Sequence, residues 1–152
     1  MIPVAFDYVR AGSAEEAVAL LTEHGDEAKL LAGGHSLLPL MKLRLAVPSV
    51  LVDIGRLSDL SYIREDGDTV AIGALTTHHA IETSAVLKEH LPLLAHATSK
   101  VGDPQVRHRG TLGGALSHGD PAADHPAILL ALGGEMVIRG PGGERRVAAD
   151  DF

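Results

Sequence analysis

The chain has 152 residues, 45% of them hydrophobic and 22% charged, with a formal net charge of −7 and no cysteine. Its length suits one domain that buries about two-thirds of its unfolded surface, and no apolar run nears the roughly 20 residues of a membrane span, as expected of a soluble globular protein. Without thiols there is no disulfide, no thiolate nucleophile and no iron–sulfur ligation from this chain, and the acidic balance with two Phe, two Tyr and no Trp argues against a nucleic-acid partner.

No basic stretch followed by a long apolar run stands at the N-terminus, so no signal peptide is expected and a cytoplasmic home is the default. Val4 to Val9 reads as a short strand. Ser13-Ala14-Glu15-Glu16 is a capping box, and Ala17, Val18, Leu20 and Leu21 give the following helix one apolar face that Gly25 stops in a left-handed turn. Ala28 to Ala32 is a short apolar strand running directly into Gly33-Gly34. Ser49 to Ile54, β-branched and bounded by Pro48 and Gly55, is another strand.

Tyr62 to Arg64 and Thr69 to Ile72 flank Glu65-Asp66-Gly67-Asp68, a hairpin signal because Asp-Gly tolerates positive φ. Thr77 caps a helix expected to run to His90, Pro92 interrupts it, and a second piece covers Leu93 to Lys100. Asp120-Pro121 reads as N-cap and first turn of a helix to Leu132, stopped by Gly133-Gly134. Met136 to Arg139 and Arg145 to Val147 form a last hairpin around Pro141-Gly142-Gly143. Adjacent hairpins among helices indicate an α+β fold rather than a doubly wound parallel sheet. A seam near Pro48 to Asp59 divides it into subdomains 1–55 and 56–152, with room for a ligand across it.

Two glycine segments carry the functional signal. Ala32-Gly33-Gly34-His35-Ser36 is followed by Lys42 and Arg44, and Thr111-Leu112-Gly113-Gly114 is preceded by Arg107, His108 and Arg109. Glycine pairs let backbone N–H groups approach an anion closely, and the basic neighbours offset the acidic field of the chain. Together they suggest a divided phosphate site; each alone is also an ordinary turn. Neither G-x-x-x-x-G-K-[ST] nor G-x-G-x-x-G is present. Nine histidines invite a metal reading, but His78-His79 and His118 with His125 lack a recognised ligand spacing, and no G-x-S-x-G strand-turn-helix elbow surrounds Ser117 as a hydrolase nucleophile would need.

Four segments in order, Ala32 to Lys42, Ile72 to Thr77, Val106 to Gly114 and Gly119 to Asp124, resemble the FAD-binding medium subunit of molybdenum hydroxylases. The likeness is greatest to the carbon monoxide dehydrogenase type within the wider xanthine dehydrogenase family. It covers nearly all of this chain and about half of such a subunit. The resemblance implies a PCMH-type (vanillyl-alcohol oxidase-like) FAD-binding fold of two α+β subdomains, the C-terminal part incomplete.

By position, the resemblance implies FAD contacts at Ala32, Gly33, Gly34, His35, Ser36 and Leu37 and at Thr111, Gly113 and Gly114, with backbone amides anchoring the pyrophosphate. Asp124 is expected at the sugar-like part of FAD and Val101 near the flavin. Ala115 stands where the family often has Asn, leaving only its backbone to serve. Thr76 and Thr77 fall in a segment near the cofactor and also suit a helix cap. The implied role is electron transfer from [2Fe-2S] clusters on a small subunit, fed by a molybdenum cofactor on a large subunit, to an external acceptor, in a dimer of heterotrimers. No catalytic or metal-binding side chain is expected. The competing expectation is a truncated, non-catalytic assembly module of the same fold that no longer holds FAD.

Overall fold

The computed structural model describes residues 1–152. A first unit joins strand β1 (Asp7–Arg10), helix α1 (Ala14–His24), β2 (Ala28–Leu31), helix α2 (Leu37–Lys42) and β3 (Val50–Asp53). Its three strands form a parallel sheet in the order β1-β3-β2. Strand β1 starts at Asp7 rather than Val4 because its pairing begins where the Asp7 N–H donates to Ser49 O at 2.8 Å; the residue before that, Pro48, has no N–H to offer a ladder.

The cap of α1 forms as expected: Ser13 Oγ accepts from the Glu16 N–H at 3.1 Å, while Glu16 Oε2 accepts from the Gly12 N–H at 2.7 Å. Gly25 ends α1 at positive φ, 55°, but its ψ of −135° lies outside the left-handed helical region, and a short 3₁₀ turn leads into β2 instead. Helix α1 covers the sheet over a core of Ala11, Ala17, Ala28, Val50 and Val52.

Two antiparallel hairpins follow, β4 (Ile63–Asp66) with β5 (Thr69–Ile72) and β6 (Glu135–Gly140) with β7 (Gly143–Ala148). Gly67, with φ of 61°, makes the first turn. Between them lie α3 (His78–Thr83), α4 (Ala85–His90), α5 (Pro92–Thr98), α6 (Pro104–Arg107), α7 (Leu112–His118) and α8 (Asp124–Ala131). Their core gathers Ile81, Leu87, Leu94, Ala95, Leu112 and Ile128. The fold is α+β, and no helix is long and apolar enough to cross a membrane.

Three expected elements differ. The single helix from Thr77 to His90 is two helices, because Ser84 leaves helical geometry at ψ of 125° and its Oγ accepts from the Leu87 N–H at 3.3 Å, starting α4. Helix α8 starts at Asp124 rather than after Asp120: Asp120 Oδ1 accepts from the Ala122 N–H at 2.8 Å in a local turn that competes with a helix. Finally, the second glycine segment is not an open loop. Thr111 caps α7, and both Gly113 and Gly114 lie in its first turn.

Candidate cofactor cleft

β2 and β3 run parallel with Leu31 beside Asp53, so both strands deliver their following loops to the same edge of the sheet. Ligand crevices of parallel sheets form at such carboxyl ends. After β2 the chain enters the first glycine segment; after β3 it enters Ile54-Gly55-Arg56. A cleft of about 290 Å³ opens here, lined by Leu31, Ala32, Gly33, Leu38, Asp53, Gly55, Arg56 and Arg109. A larger groove of about 390 Å³, lined by Val4 to Asp7 and Val47 to Ser49, shares none of these residues and has one charged group, an acid.

Arg109 brings the second glycine segment to the cleft. A Cβ on Gly33 would sit 2.0 Å from the Arg109 carbonyl oxygen and 3.2 Å from Gly110 Cα, so the two segments pack backbone against backbone. Glycine at position 33 is required by this approach, not by its φ. Gly34 adopts φ of 79°, a left-handed value that disfavours a side chain.

The two segments differ in what their amides offer. The N–H groups of Gly33, Gly34, His35 and Ser36 donate to no acceptor within the chain, and the Ser36 hydroxyl caps nothing although Ser36 precedes α2. In contrast, the Leu112 N–H donates to Thr76 O at 3.0 Å and the Gly113 N–H to Ala74 O at 2.9 Å. The Gly114 N–H donates to Thr111 Oγ1 at 3.2 Å. In this arrangement these amides tie α7 to the Ala74-Leu75-Thr76 segment and to its own cap.

Two cations face the cleft. The seven ion pairs of the chain leave Arg56 and Arg109 without a partner. Arg56 was not singled out in the sequence, although its signal was present: it follows Gly55 at the end of a strand adjacent to the glycine-loop strand. Asp53 is the counterweight. Burial pushes its carboxyl up, but the Tyr8 hydroxyl, the Gly55 N–H at 2.8 Å and the charges of Arg10 and Arg56 outweigh that and hold it below the usual carboxylate range. The bond to Gly55 fixes the loop that presents Arg56.

Thr76 and Thr77 divide their work. Thr76 is buried; its Oγ1 donates to Tyr62 O at 2.9 Å and accepts from the Tyr62 N–H at 3.2 Å. Thr77 Oγ1 caps α3 by accepting from the Ala80 N–H at 3.2 Å, and Thr77 bridges Thr111. Leu37 is half-buried at the start of α2 and Ala115 half-buried within α7.

Gly113 is hemmed in by backbone, since a Cβ there would meet Ala74 Cβ at 2.6 Å and Ala74 O at 2.8 Å, whereas one on Gly114 would meet only the Thr111 hydroxyl at 2.7 Å. Gly113→Ala is expected to cost about 2 kcal/mol in denaturant unfolding. Gly114→Ala should be near neutral, a lost cap of about 1 kcal/mol offset by about 1 kcal/mol of helix propensity.

Val101 is half-buried, and its carbonyl accepts from Arg107 Nη1 at 3.1 Å. Arg107 also lies 2.9 Å from Glu82 Oε2 through Nε, but the Nε–H is not aimed at the carboxylate and makes no hydrogen bond. This ion pair joins α3 to α6 and holds the Val101 loop. Arg107→Ala is expected to lower stability by about 1–2 kcal/mol, read by chemical denaturation. Asp124 is exposed in the first turn of α8, and no hydrogen bond or ion pair links it to either glycine segment.

His78 and His125 come together as a pair. Both are buried, and their rings stack with centroids 4.4 Å apart. His125 Nε2 lies 3.2 Å from Thr98 Oγ1, while His78 Nδ1 has no partner. Burial and, secondarily, the charge of His125 push His78 down to about 4. Burial also lowers His125, with Asp124 opposing.

The chain resembles the carbon monoxide dehydrogenase medium chain of Hydrogenophaga pseudoflava, 53% identical over 152 residues that make up 100% of this chain and 53% of that one. It is 47% identical over 147 residues to the 6-hydroxypseudooxynicotine dehydrogenase complex subunit alpha of Paenarthrobacter nicotinovorans, covering 97% of this chain and 50% of the relative. In structure it matches reconstituted CO dehydrogenase from Oligotropha carboxidovorans with a TM-score of 0.98 and 49% identity, over 100% of this chain and 53% of the other. The chain thus spans about half the length of the curated relatives it matches. A family model described as the FAD binding domain in molybdopterin dehydrogenase matches residues 4–152, and the chain belongs to that family.

Proposed function

We propose that this chain holds FAD within a multi-subunit molybdenum hydroxylase and serves electron transfer from [2Fe-2S] clusters of a small subunit to an external acceptor. The observation that carries the reading is the cleft at the ends of β2 and β3, where Gly33, the first of four successive residues with unengaged N–H groups, lies with Arg56 and Arg109, two arginines outside any ion pair. Such a donor set suits a pyrophosphate, which has several acceptor oxygens and negative charge. The relatives named as a medium chain and a complex subunit support membership of a larger assembly.

In this reading Gly33, Gly34, His35 and Ser36 bind the pyrophosphate through their amides, with Ala32 and Leu37 closing the ends of the loop. Arg56 and Arg109 supply positive charge. Thr111, Gly113, Gly114 and Ala115 act by packing, placing Arg109 and the start of α7 beside the first loop. Val101 lies against the flavin, and Asp124 accepts from hydroxyls of the sugar-like part. Bound FAD supplies the redox chemistry; the chain orients it. The division into 1–55 and 56–152 is proposed with it, supported by two separate apolar cores. A large molybdenum-cofactor subunit and a small iron–sulfur subunit, paired as a dimer of heterotrimers in the cytoplasm, complete the proposal.

Titration of FAD onto the chain, followed by flavin fluorescence, tests it. Saturable binding is expected, with Arg56→Ala and Arg109→Ala each weakening it about tenfold. A folded chain that leaves FAD fluorescence unchanged while still joining its partner subunits would favour an assembly module that does not hold FAD.

A further inference from the structure

His78 touches the cleft's framework without lining the cleft. Its backbone N–H donates to Gly110 O at 2.9 Å. Its ring edge lies so near Gly110 that a Cβ there would meet Cδ2 at 2.7 Å and Nε2 at 2.9 Å. The next residue back, Arg109, is the one whose carbonyl abuts Gly33. His125 on α8 stacks on the ring at an interplanar angle of 17° and is tied to Thr98 at the end of α5. One imidazole therefore joins α3 and α8 to the point where the two glycine segments meet.

We infer that His78 is a positioning residue of the cofactor cleft and an acid-sensitive clasp: protonation of its ring loosens Arg109-Gly110 from Gly33 and releases the dinucleotide. The inference rests on the FAD reading above. A neutral imidazole carries one N–H and one bare nitrogen, whereas the cation carries N–H at both. The second proton would place a donor at Nδ1, which is buried with no acceptor. A buried, unpaired cationic donor is costly, so the ring must leave its seat or admit water, and Gly110 loses its support. The proton comes from solvent.

The surroundings offer little to compensate. From α8 the facing groups are His125 itself and Asp124, whose charge acts on His125. Thr98, the contact from α5, is uncharged. On α3 and α6 the ionisable groups pair with one another, Arg107 with Glu82 and His108 stacked 4.0 Å from His79.

The test combines two readouts on the full chain, with His78→Phe and His78→Gln as non-titrating variants, either one sufficing if folded. Between about pH 7 and about pH 5 hydrogen exchange at the His78 and Gly110 amides of the parent, corrected for intrinsic rate, is expected to quicken about tenfold relative to the β1-β3-β2 sheet, and FAD binding to weaken about twofold as pH falls on to about 4, the His78 value. The variants should show neither selective change. Equal pH responses in parent and variant, or exchange that follows the sheet, would overturn the inference. Selective exchange without FAD binding at either pH would uphold the clasp as a device of the loop and refute cofactor release along with the FAD reading.

Discussion

Gly33→Ala is expected to lower the unfolding free energy by about 3 kcal/mol and the melting temperature by roughly 10 °C. The new Cβ would lie 2.0 Å from Arg109 O and 2.8 Å from Arg109 C. Both are backbone atoms, so no rotamer change relieves the overlap. Either the first loop or the Arg109-Gly110 segment must retreat, which opens the cleft at the point where Arg109 enters it. Gly34→Ala is the control: its strain comes from φ of 79°, and its nearest neighbour is the mobile end of Leu38, so about 1 kcal/mol is expected. Thermal unfolding of both variants checks the order. A Gly33→Ala protein as stable as the parent would refute the close approach of the two segments.

Acid should weaken the fold in a window set by His78. Its folded value of about 4 lies below the ordinary 6.5, so the unfolded chain takes up the proton first. Stability from this group is intact above pH about 6.5 and is lost as pH falls towards about 4, where the cost reaches about 3 kcal/mol. Carboxylates contribute their own acid dependence, so the difference between parent and His78→Phe isolates the imidazole. Urea unfolding across this range is expected to show the two curves converging as pH falls, the parent losing more. Parallel curves would contradict a buried neutral His78.

Much of this was legible in the sequence where local chemistry decides. Ser13 with Glu16, Asp-Gly at 66–67 and the β-branched run at 50–53 act over a few residues, and their elements formed where expected. The misread elements were decided by contacts that a linear reading does not contain. Thr111-Leu112-Gly113-Gly114 looks like a turn because two glycines weaken a helix, yet the Thr111 cap and the Ala74 contact start α7 there. Short α2 and α6 likewise lack the periodicity that marks longer helices.

The site divides the same way. Both glycine segments were visible as glycine pairs beside basic residues, and the family resemblance joined them to a cofactor. Arg56 emerges only when β2 and β3 are paired in parallel, and the His78–His125 stack only when α3, α5 and α8 pack. The distinction between amides that are free and amides already bonded is invisible in the sequence, since Gly-Gly reads alike in both segments.

That distinction supplies the most direct test of the account. Backbone amide resonances of the ¹⁵N-labelled chain, followed as FAD is added, should shift most at Gly33, Gly34, His35 and Ser36, with smaller changes at Gly113 and Gly114. The largest shifts at Gly113 and Gly114, or none in the 33–36 segment under saturating FAD, would contradict the assignment of the pyrophosphate to the first glycine loop.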